Sequence, residues 1–321
     1  MATVTNADTP SSAIGIREDL TDQIHRVDVE DTPFMSMVGT NKATNTIHQW
    51  QTRALGSVDT SNAKPEAQTT ARVAATNNVR LTNICQISEK NATVSGTLEA
   101  VDKAGRNEEM ALQMADRTIE LRKDQEAICL SNQAYATAAT VGGETVRQMR
   151  GMEAWLRTNT DRASDGADPA DPNVTAGTTA TDGTQRAFTE TLLLNTLQKQ
   201  FDAGGKPTMA LMGSFNKRVA SDFAGRAVSQ VLVEKNTIRQ AAALYDSDFG
   251  AIKLMPHRYM RSRTCLLLDT NMVKVSYLRK FVRFPLAKIG DAETRVILSE
   301  YSLEMCNERA HGVIADLTTS A

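Results

Sequence analysis

The longest helical pattern in the sequence begins near residue 107, and its length restricts the architectures open to the chain. Asn107 is placed to act as the N-cap, and Glu126 is among the charged residues that flank the stripe. The apolar residues of one face recur at helical spacing: Met110, Met114, Leu121, Ile128 and Tyr135. A helix that reaches Tyr135 has roughly 30 residues and a length of about 45 Å, whereas helices of globular proteins average about 11–12 residues. The pattern therefore predicts a long strut.

Residues 41–98, which precede this helix, predict an extended hairpin. The segment 46–55 is typical of a strand, 56–78 is polar and predicts a long loop, and apolar residues alternate with polar ones over 79–87 and again over 94–98. Isolated two-stranded ribbons are marginal in water, and a polar loop of about 20 residues is unusual in a compact domain. We therefore expect the hairpin to lie against another molecule.

The N-terminal residues predict an arm. Residues 1–15 are polar and predict a flexible tail, whereas the apolar residues of 16–27 recur at helical spacing up to the helix-ending Asp31-Thr32-Pro33. A short apolar piece, 34–38, follows. One short amphipathic helix and one apolar plug cannot form a core alone, so we expect the arm to lie against other elements.

The second half alternates helix and strand after a region of turns. Residues 140–190 carry Gly-Gly, Asp-Gly and Asp-Pro pairs around the amphipathic patch 149–156, which predicts loops and a domain boundary. The elements predicted beyond it are a helix at 192–201, a strand at 208–212, a helix at 215–223 and strands at 251–255 and 265–268. They indicate a compact α/β domain. At the end, 294–306 and 310–317 predict a strand pair around a turn at 307–309.

Charge and hydropathy exclude several classes of protein. The 36 Lys and Arg residues against 38 Asp and Glu give a formal net charge of −2, which argues against a dominant electrostatic grip on nucleic acid. No apolar run approaches the ~20 residues that a membrane span needs. The first residues have neither the cationic nor the apolar region of a secretory signal. We therefore expect a protein that is cytosolic at synthesis.

Residues with catalytic or metal-binding chemistry are scattered along the chain. The four cysteines have no CxxC or zinc spacing and predict reduced, buried thiols: Cys85, Cys129, Cys265 and Cys306. The four histidines form no motif, and no GxSxG segment supports a Ser-His-Asp triad: His25, His48, His257 and His311. We therefore predict no catalytic residue, no metal site and no cofactor.

Three short segments superficially resemble binding motifs. Gly204-Gly205-Lys206-Pro207 follows a helix and lacks the Ser or Thr of a phosphate loop, so a helix C-cap explains it. Glu308-x-x-His311 is half of a di-iron signature that requires two such motifs on long helices. A basic group at Arg258, Arg261 and Arg263 could contact nucleic acid, but a solvated loop or an intersubunit ion pair is favoured.

The order of these parts resembles that of the major capsid proteins of tailed bacteriophages, which have the Hong Kong 97-type shell fold. The arm resembles GIREDLTDQIHRVDVEDTPFMSMVG, and the spine helix of that family resembles LEAVDKAGRNEEMALQMADRTIELRKDQEAICLSNQA. The axial domain resembles the sequence from LLLNTLQKQFDAGGKPTMALMG onward. The ending, from LLLDTNMVKVSYLRKF to the C-terminal ADL, is similar to the closing strands of the podophage-type branch.

The resemblance implies an α+β fold divided into five parts. These would be an N-terminal arm (1–40), an extended hairpin loop (41–98), a peripheral domain with the spine helix (99–186), an axial domain (187–287) and return strands of the peripheral domain (288–321).

The function implied is structural: self-assembly into the icosahedral head that encloses double-stranded DNA. The partners implied are copies of the chain itself in pentameric and hexameric capsomers, a portal at one vertex and a decoration protein. Packaged DNA would be contacted weakly, and no membrane would be involved. Only about 15 polar residues precede the arm, so the resemblance implies a separate scaffolding protein. Assembly would take place in the host cytoplasm, and the finished product would be the virion. The alternative is a cytosolic enzyme or small-molecule-binding protein that uses the α/β domain at 190–285.

Overall fold

The structure is a computed structural model that describes residues 31–56, 58–67, 69, 77–171, 178–223 and 244–320. Within them lie six α-helices: α1 (Pro33–Met37), α2 (Gly96–Ala100), α3 (Glu109–Cys129), α4 (Met152–Trp155), α5 (Glu190–Asp202) and α6 (Ser214–Ser221). The first seven strands are β1 (Gly39–Lys42), β2 (Ile47–Thr52), β3 (Val79–Ile84), β4 (Gln86–Ser95), β5 (Ala136–Val141), β6 (Glu144–Gln148) and β7 (Thr160–Asp161). The remaining strands are β8 (Met209–Met212), β9 (Leu244–Ser247), β10 (Gly250–Pro256), β11 (Cys265–Leu268), β12 (Val273–Pro285), β13 (Ala292–Met305) and β14 (Gly312–Ile314). The helix predicted over 16–27 lies outside the described residues.

A four-stranded sheet carries the long helix. Its strand order is β1-β12-β13-β4, with β1 parallel to β12 and the other neighbours antiparallel. Helix α3 packs across β4 and β13, and its buried residues Met110, Met114 and Leu121 form an apolar cluster with Ile297 of β13. The apolar stripe in the sequence therefore faces this sheet, as its spacing indicates.

A six-stranded sheet forms the second core. Its order is β7-β14-β11-β8-β10-β9, and α5 and α6 lie against it. The central strands β8 and β11 are continuous apolar runs, MALM and CLLL, and every residue of both is buried. Such runs are typical of strands covered on both faces. The predicted strands and helices of this region are confirmed, with ends shifted by a few residues.

The long helix is shorter than predicted, because α3 has 21 residues and ends at Cys129. Just after the end of α3, the side chains of Asn132 and Gln133 bind other parts of the chain. Asn132 exchanges two hydrogen bonds with the backbone of Ala180, at 2.8 and 2.9 Å, and Gln133 donates to Gln86 and to the carbonyl of Met149, both at 2.8 Å. These contacts join residues distant in sequence, which helical periodicity does not report.

The predicted pairing of the two last strands is wrong. Strand β13 has β12 on one edge and β4 on the other, so neither edge is free for a third strand. The chain leaves β13 through a 3₁₀ turn at Glu308–Ala310 and enters the six-stranded sheet, where β14 pairs with β11 and β7. The predicted turn is thus a crossing between the two sheets.

The region predicted as loop between 140 and 190 contains ordered structure. Strands β5 and β6 form a hairpin around Gly142 and Gly143, whose φ values of +61° and +88° suit a tight two-residue turn. The patch from Met149 to Leu156 is buried throughout and includes α4. It belongs to the main hydrophobic core, where Trp155 is fully buried.

Candidate assembly surfaces

The predicted hairpin consists of β2 and β3, which pair from Ile47↔Ile84 to Thr52↔Val79. Strand β4, predicted to continue the hairpin, instead pairs with β13. The base of the hairpin packs on its own chain. Trp50 Nε1 donates to the carbonyl of Met305 at 2.7 Å, and buried Asn83 Nδ2 donates to the carbonyl of Leu303 at 2.7 Å. The expectation that another molecule covers the hairpin is therefore wrong for its base.

The outer part of the hairpin is different. Every described residue from 53 to 80 is exposed, and Leu55 and Val58 are 93% and 91% exposed. These two apolar side chains thus lie on a part of the hairpin that its own chain leaves uncovered. The hairpin therefore has an anchored base and an outer segment in which none of the described residues is buried.

Glu304 of β13 ties the base of the hairpin to the four-stranded sheet. Its Oε2 accepts from Ser276 Oγ at 2.8 Å and from Asn41 Nδ2 at 3.0 Å, and it lies 2.9 Å from His48 Nε2. Burial would raise the pKa of the Glu304 carboxyl, but the hydrogen bonds from these three side chains outweigh it and lower the pKa to about 2. The carboxylate is therefore ionised at neutral pH and holds β1, β2, β12 and β13 together.

Glu126, near the end of α3, is completely buried and joins three parts of the chain. Its Oε1 accepts from the backbone N–H of Phe34 at 2.7 Å and lies 2.8 Å from His257 Nε2, while Oε2 accepts from the N–H of Met35 at 2.8 Å. The sequence pattern placed this residue on the charged flank of the helix, and that interpretation is wrong. The carboxylate connects the start of α1, the long helix and the residue that follows β10.

Two of the three arginines in the basic group form ion pairs within the chain. Arg261 pairs with Glu153 at 2.9 Å and with Asp182, and Arg263 pairs with Asp316 at 2.9 Å and with Asp182 at 3.2 Å. These pairs fasten the loop around residue 182 to the six-stranded sheet. The expected intersubunit ion pair therefore has intramolecular partners instead, and Arg258 alone remains exposed on the surface.

The cysteines are free thiols in protected positions: Cys85, Cys129 and Cys265 are buried, and Cys306 is half-buried. Burial raises the pKa of the Cys85 thiol to about 11 and that of Cys265 to about 12, so neither is a thiolate at neutral pH. The other motifs are structural. Gly204 has a φ of +85° and ends α5, as a helix C-cap requires.

The Glu308-x-x-His311 segment does not bring its two side chains together. Glu308 accepts at 3.5 Å from the backbone N–H groups of Arg157 and Thr158, whereas His311 Nε2 bonds the carbonyl of Met272 at 3.2 Å. Burial lowers the pKa of His311 to about 4, so its ring is neutral at pH 7. In the described ranges, no group of three or more His, Cys, Asp or Glu side chains is arranged to hold a metal ion. Nor does any helix in them have the length and apolarity to cross a membrane.

A long helix across a four-stranded sheet, a projecting hairpin and a second domain built on a separate sheet define the class of Hong Kong 97-type shell proteins. Residues 3–318 match the family model described as the SU10 major capsid protein. The chain belongs to this family of phage major capsid proteins. It is also 27% identical over 320 residues to the major capsid protein of Escherichia phage Phieco32, covering 89% of this chain and 90% of that protein.

Solved structures show the same fold at low sequence identity. A structure from Microbacterium phage Oxtober96 has a TM-score of 0.60 at 11% identity and covers 96% of this chain and 99% of its own. The capsid structure of Cyanophage P-SCSP1u has a TM-score of 0.57 at 12% identity, with 98% and 96% covered. A structure of the phage G gp27 major capsid proteins with gp26 decoration proteins has a TM-score of 0.52 at 10% identity, with 99% and 100% covered.

Family membership identifies the chain's function. It is a structural subunit that assembles with copies of itself into the head shell of a tailed phage, and its place is the virion. The fold class and the resemblance predicted from the sequence are confirmed. The alternative of an enzyme that uses residues 190–285 has no support, because the family and its relatives are capsid proteins.

Proposed function

We propose that the outer hairpin, between 53 and 78, is the contact through which each subunit overlaps a neighbour in the shell. The observation that carries this proposal is the contrast within one hairpin. The base is held by Trp50 and Asn83 in its own core, whereas Leu55 and Val58 are over nine-tenths exposed. A rigid base with an uncovered outer segment suits a structure that reaches another subunit. Symmetry repeats such a contact around the shell, so modest contacts add up.

The chain is proposed to divide into the arm (1–40), hairpin (41–98), peripheral domain (99–186), axial domain (187–287) and return strands (288–321). The strand order supports one peripheral core and one axial core. It also indicates that the chain crosses between the two cores at other residues than 287 and 288. Strand β12 runs beside β13 in the sheet that carries α3, and β14 runs in the sheet that carries α5. We place the crossings at the 3₁₀ turns before β12 and after β13.

The proposal also includes the individual partners of the chain in assembly. Axial domains would meet in pentameric and hexameric capsomers, with a separate scaffolding protein to direct assembly in the host cytoplasm and a portal at one vertex. A decoration protein, such as the one present with the phage G major capsid proteins, would bind outside. Packaged double-stranded DNA would be contacted weakly, since the net charge of −2 gives the chain no overall electrostatic attraction to DNA.

The experiment is to produce the chain with and without the scaffolding protein of its phage, and to examine both preparations by sedimentation velocity and negative-stain microscopy. Closed, uniform, megadalton particles that depend on the scaffold are expected. Closed particles formed equally well without it would overturn the scaffold requirement. A small closed oligomer under both conditions would contradict assembly by this chain.

A further inference from the structure

A groove opens at the point where the described part of the chain begins. It has a volume of about 410 Å³ and lies between the start of α1 and the end of β10. Four residues supply its apolar walls, and each of them is half-buried or exposed: Pro33, Met255, Pro256 and Tyr259. A groove of this size, with apolar walls and a few polar groups, is typical of a binding surface.

The two walls of the groove are joined beneath it. His257, which belongs to the lining, is buried and hydrogen-bonded to Glu126 of α3. The same carboxylate accepts from the backbone N–H of Phe34 in α1. Because one carboxylate holds both α1 and the end of β10, the groove is preformed. An occupant therefore binds without the entropic cost of ordering the walls.

Arg258 gives the rim of the groove a positive charge. Its side chain is exposed and lines the groove. Among the described residues, Arg261 and Arg263 have carboxylate partners within the chain, whereas no such ion pair holds Arg258. The groove thus suits an occupant that combines apolar side chains with carboxylates.

The segment that leads directly into the groove has this composition. Val27-Asp28-Val29-Glu30 precedes Asp31, which is itself part of the lining. Four extended residues span about 13 Å, and alternate side chains of an extended segment point in opposite directions. The two valines can therefore face the apolar walls while the two carboxylates face the rim.

We infer that residues 27–30 dock in the groove of their own chain. The two valines lie against its apolar walls, and the two carboxylates lie beside Arg258. Because the segment is joined to the lining at Asp31, its effective concentration at the groove is in the millimolar range or above. A second copy in solution does not have this advantage. The docked segment sets the direction in which residues 1–26 leave the groove.

The first test is a disulfide trap in the unassembled full-length subunit. Val29→Cys combined with Pro256→Cys should form a disulfide within one chain under mild oxidation, and peptide mapping should locate it. The matched control combines Val29→Cys with Ala251→Cys, an exposed position at the other end of β10. That position is about 16 Å away along the strand, beyond the reach of a disulfide. Val29→Cys alone controls for reaction with the native thiols.

The second test needs no engineered cysteine. Trypsin cleaves after Arg26, directly before the docked segment, and cleavage follows the population of the undocked form. Arg258→Glu should raise the cleavage rate severalfold, because the rim then repels the two carboxylates. Lys253→Glu is the matched control, since it makes the same charge reversal at an exposed position of β10 outside the groove. It should leave the rate unchanged.

The outcomes are separable from those of the proposed shell assembly, because every measurement uses unassembled subunits. A disulfide between two chains would overturn docking within one chain and assign the groove to a second copy. A disulfide yield no higher than that of the control pair would overturn the docking altogether. Equal cleavage rates in Arg258→Glu and Lys253→Glu would overturn the contribution of the rim charge. Circular dichroism and thermal melts confirm that each variant is folded.

Discussion

His257 Nε2 lies 2.8 Å from Glu126 Oε1, and both side chains are fully buried. The other ring nitrogen of His257, Nδ1, accepts from the backbone N–H groups of Tyr259 and Met260 at 3.2 and 3.1 Å. Since Nδ1 is an acceptor, the ring proton is on Nε2 and is donated to the carboxylate. The long helix is thus hydrogen-bonded to the residues after β10 and, through the same carboxylate, to α1. This junction fixes α1 against the long helix and against the residues that follow β10.

Glu126→Gln should destabilise the subunit by about 2–3 kcal/mol, because the amide nitrogen would face a hydrogen-bond donor in a buried site. The measurement is the free energy of unfolding in denaturant. Glu120→Gln is the matched control on the same helix, since Glu120 pairs with Arg117 at 2.6 Å on the surface, and it should change stability by less than about 0.5 kcal/mol. Equal losses in the free energy of unfolding for the two variants would show that the buried hydrogen bonds of Glu126 stabilise the subunit no more than a surface ion pair does.

Leu121→Asp should destabilise the subunit by about 3–5 kcal/mol, a large part of the stability of a typical domain, because it places an unpaired carboxylate in an apolar cluster. Leu121 is 0% exposed and packs in the cluster of α3 with β4 and β13. We expect little soluble protein, or a much lower unfolding midpoint. Ala115→Asp, on the exposed face of the same helix, should remain soluble and fold. A Leu121→Asp protein as stable as wild type would contradict the packing of α3.

Features with local causes were predictable from the sequence. The end of α5 follows from the conformational freedom of Gly204, and the CLLL run predicts β11 with its observed ends. Features with distant partners were not. Nothing local shows that Asn132 and Gln133 end the long helix by bonding residues near 180 and 149. The same holds for the strand pairing of β13, whose neighbours are chosen by the tertiary fold.

At the candidate assembly surfaces, too, the features with local causes were predictable and those with distant partners were not. A long polar loop between alternating strands predicted the projecting hairpin. Its anchored base was missed, since Trp50 finds its acceptor at Met305, far along the chain. Glu126 and Glu304 carry no motif, because a buried carboxylate and a solvated one look identical in a single sequence. The one available signal was the position of Glu304 between the apolar residues Leu303 and Met305 near the end of β13.

Acid should weaken the sheet at Glu304. The pKa of this carboxyl is about 2 in the folded chain against 4.5 as the ordinary value, so the folded state binds its proton less readily than the unfolded state. Its contribution to stability is therefore complete above pH 4.5 and is lost as the pH falls from 4.5 toward 2. Glu304→Gln should flatten the pH dependence of unfolding in that window. An unchanged pH profile in the variant would contradict the role of this carboxylate.

His311 should affect the pH dependence of stability at higher pH than Glu304 does. The pKa of its ring is about 4 in the folded chain against an ordinary value of 6.5, because the buried ring is held neutral. As the pH falls, the unfolded chain binds a proton at His311 at higher pH than the folded chain does. The neutral ring therefore makes its full contribution to stability above pH 6.5, and this contribution is lost as the pH falls from 6.5 toward 4. His311→Gln should reduce the slope of stability against pH in this range, whereas Glu304→Gln should leave it intact. Unfolding curves at closely spaced pH values distinguish the two.

Deletion of residues 57–78 tests the central claim most directly, namely that the outer hairpin joins subunits and does not support the fold. Residues 53–56 would still connect β2 to β3, a loop length that hairpins accept. The measurement is sedimentation velocity of the variant produced with its cognate scaffold, alongside circular dichroism. We predict a folded subunit with an unchanged spectrum that forms no closed particles. A folded variant that still sediments as closed shells would contradict the intersubunit role of the hairpin, and an unfolded one would assign the deleted segment to the core.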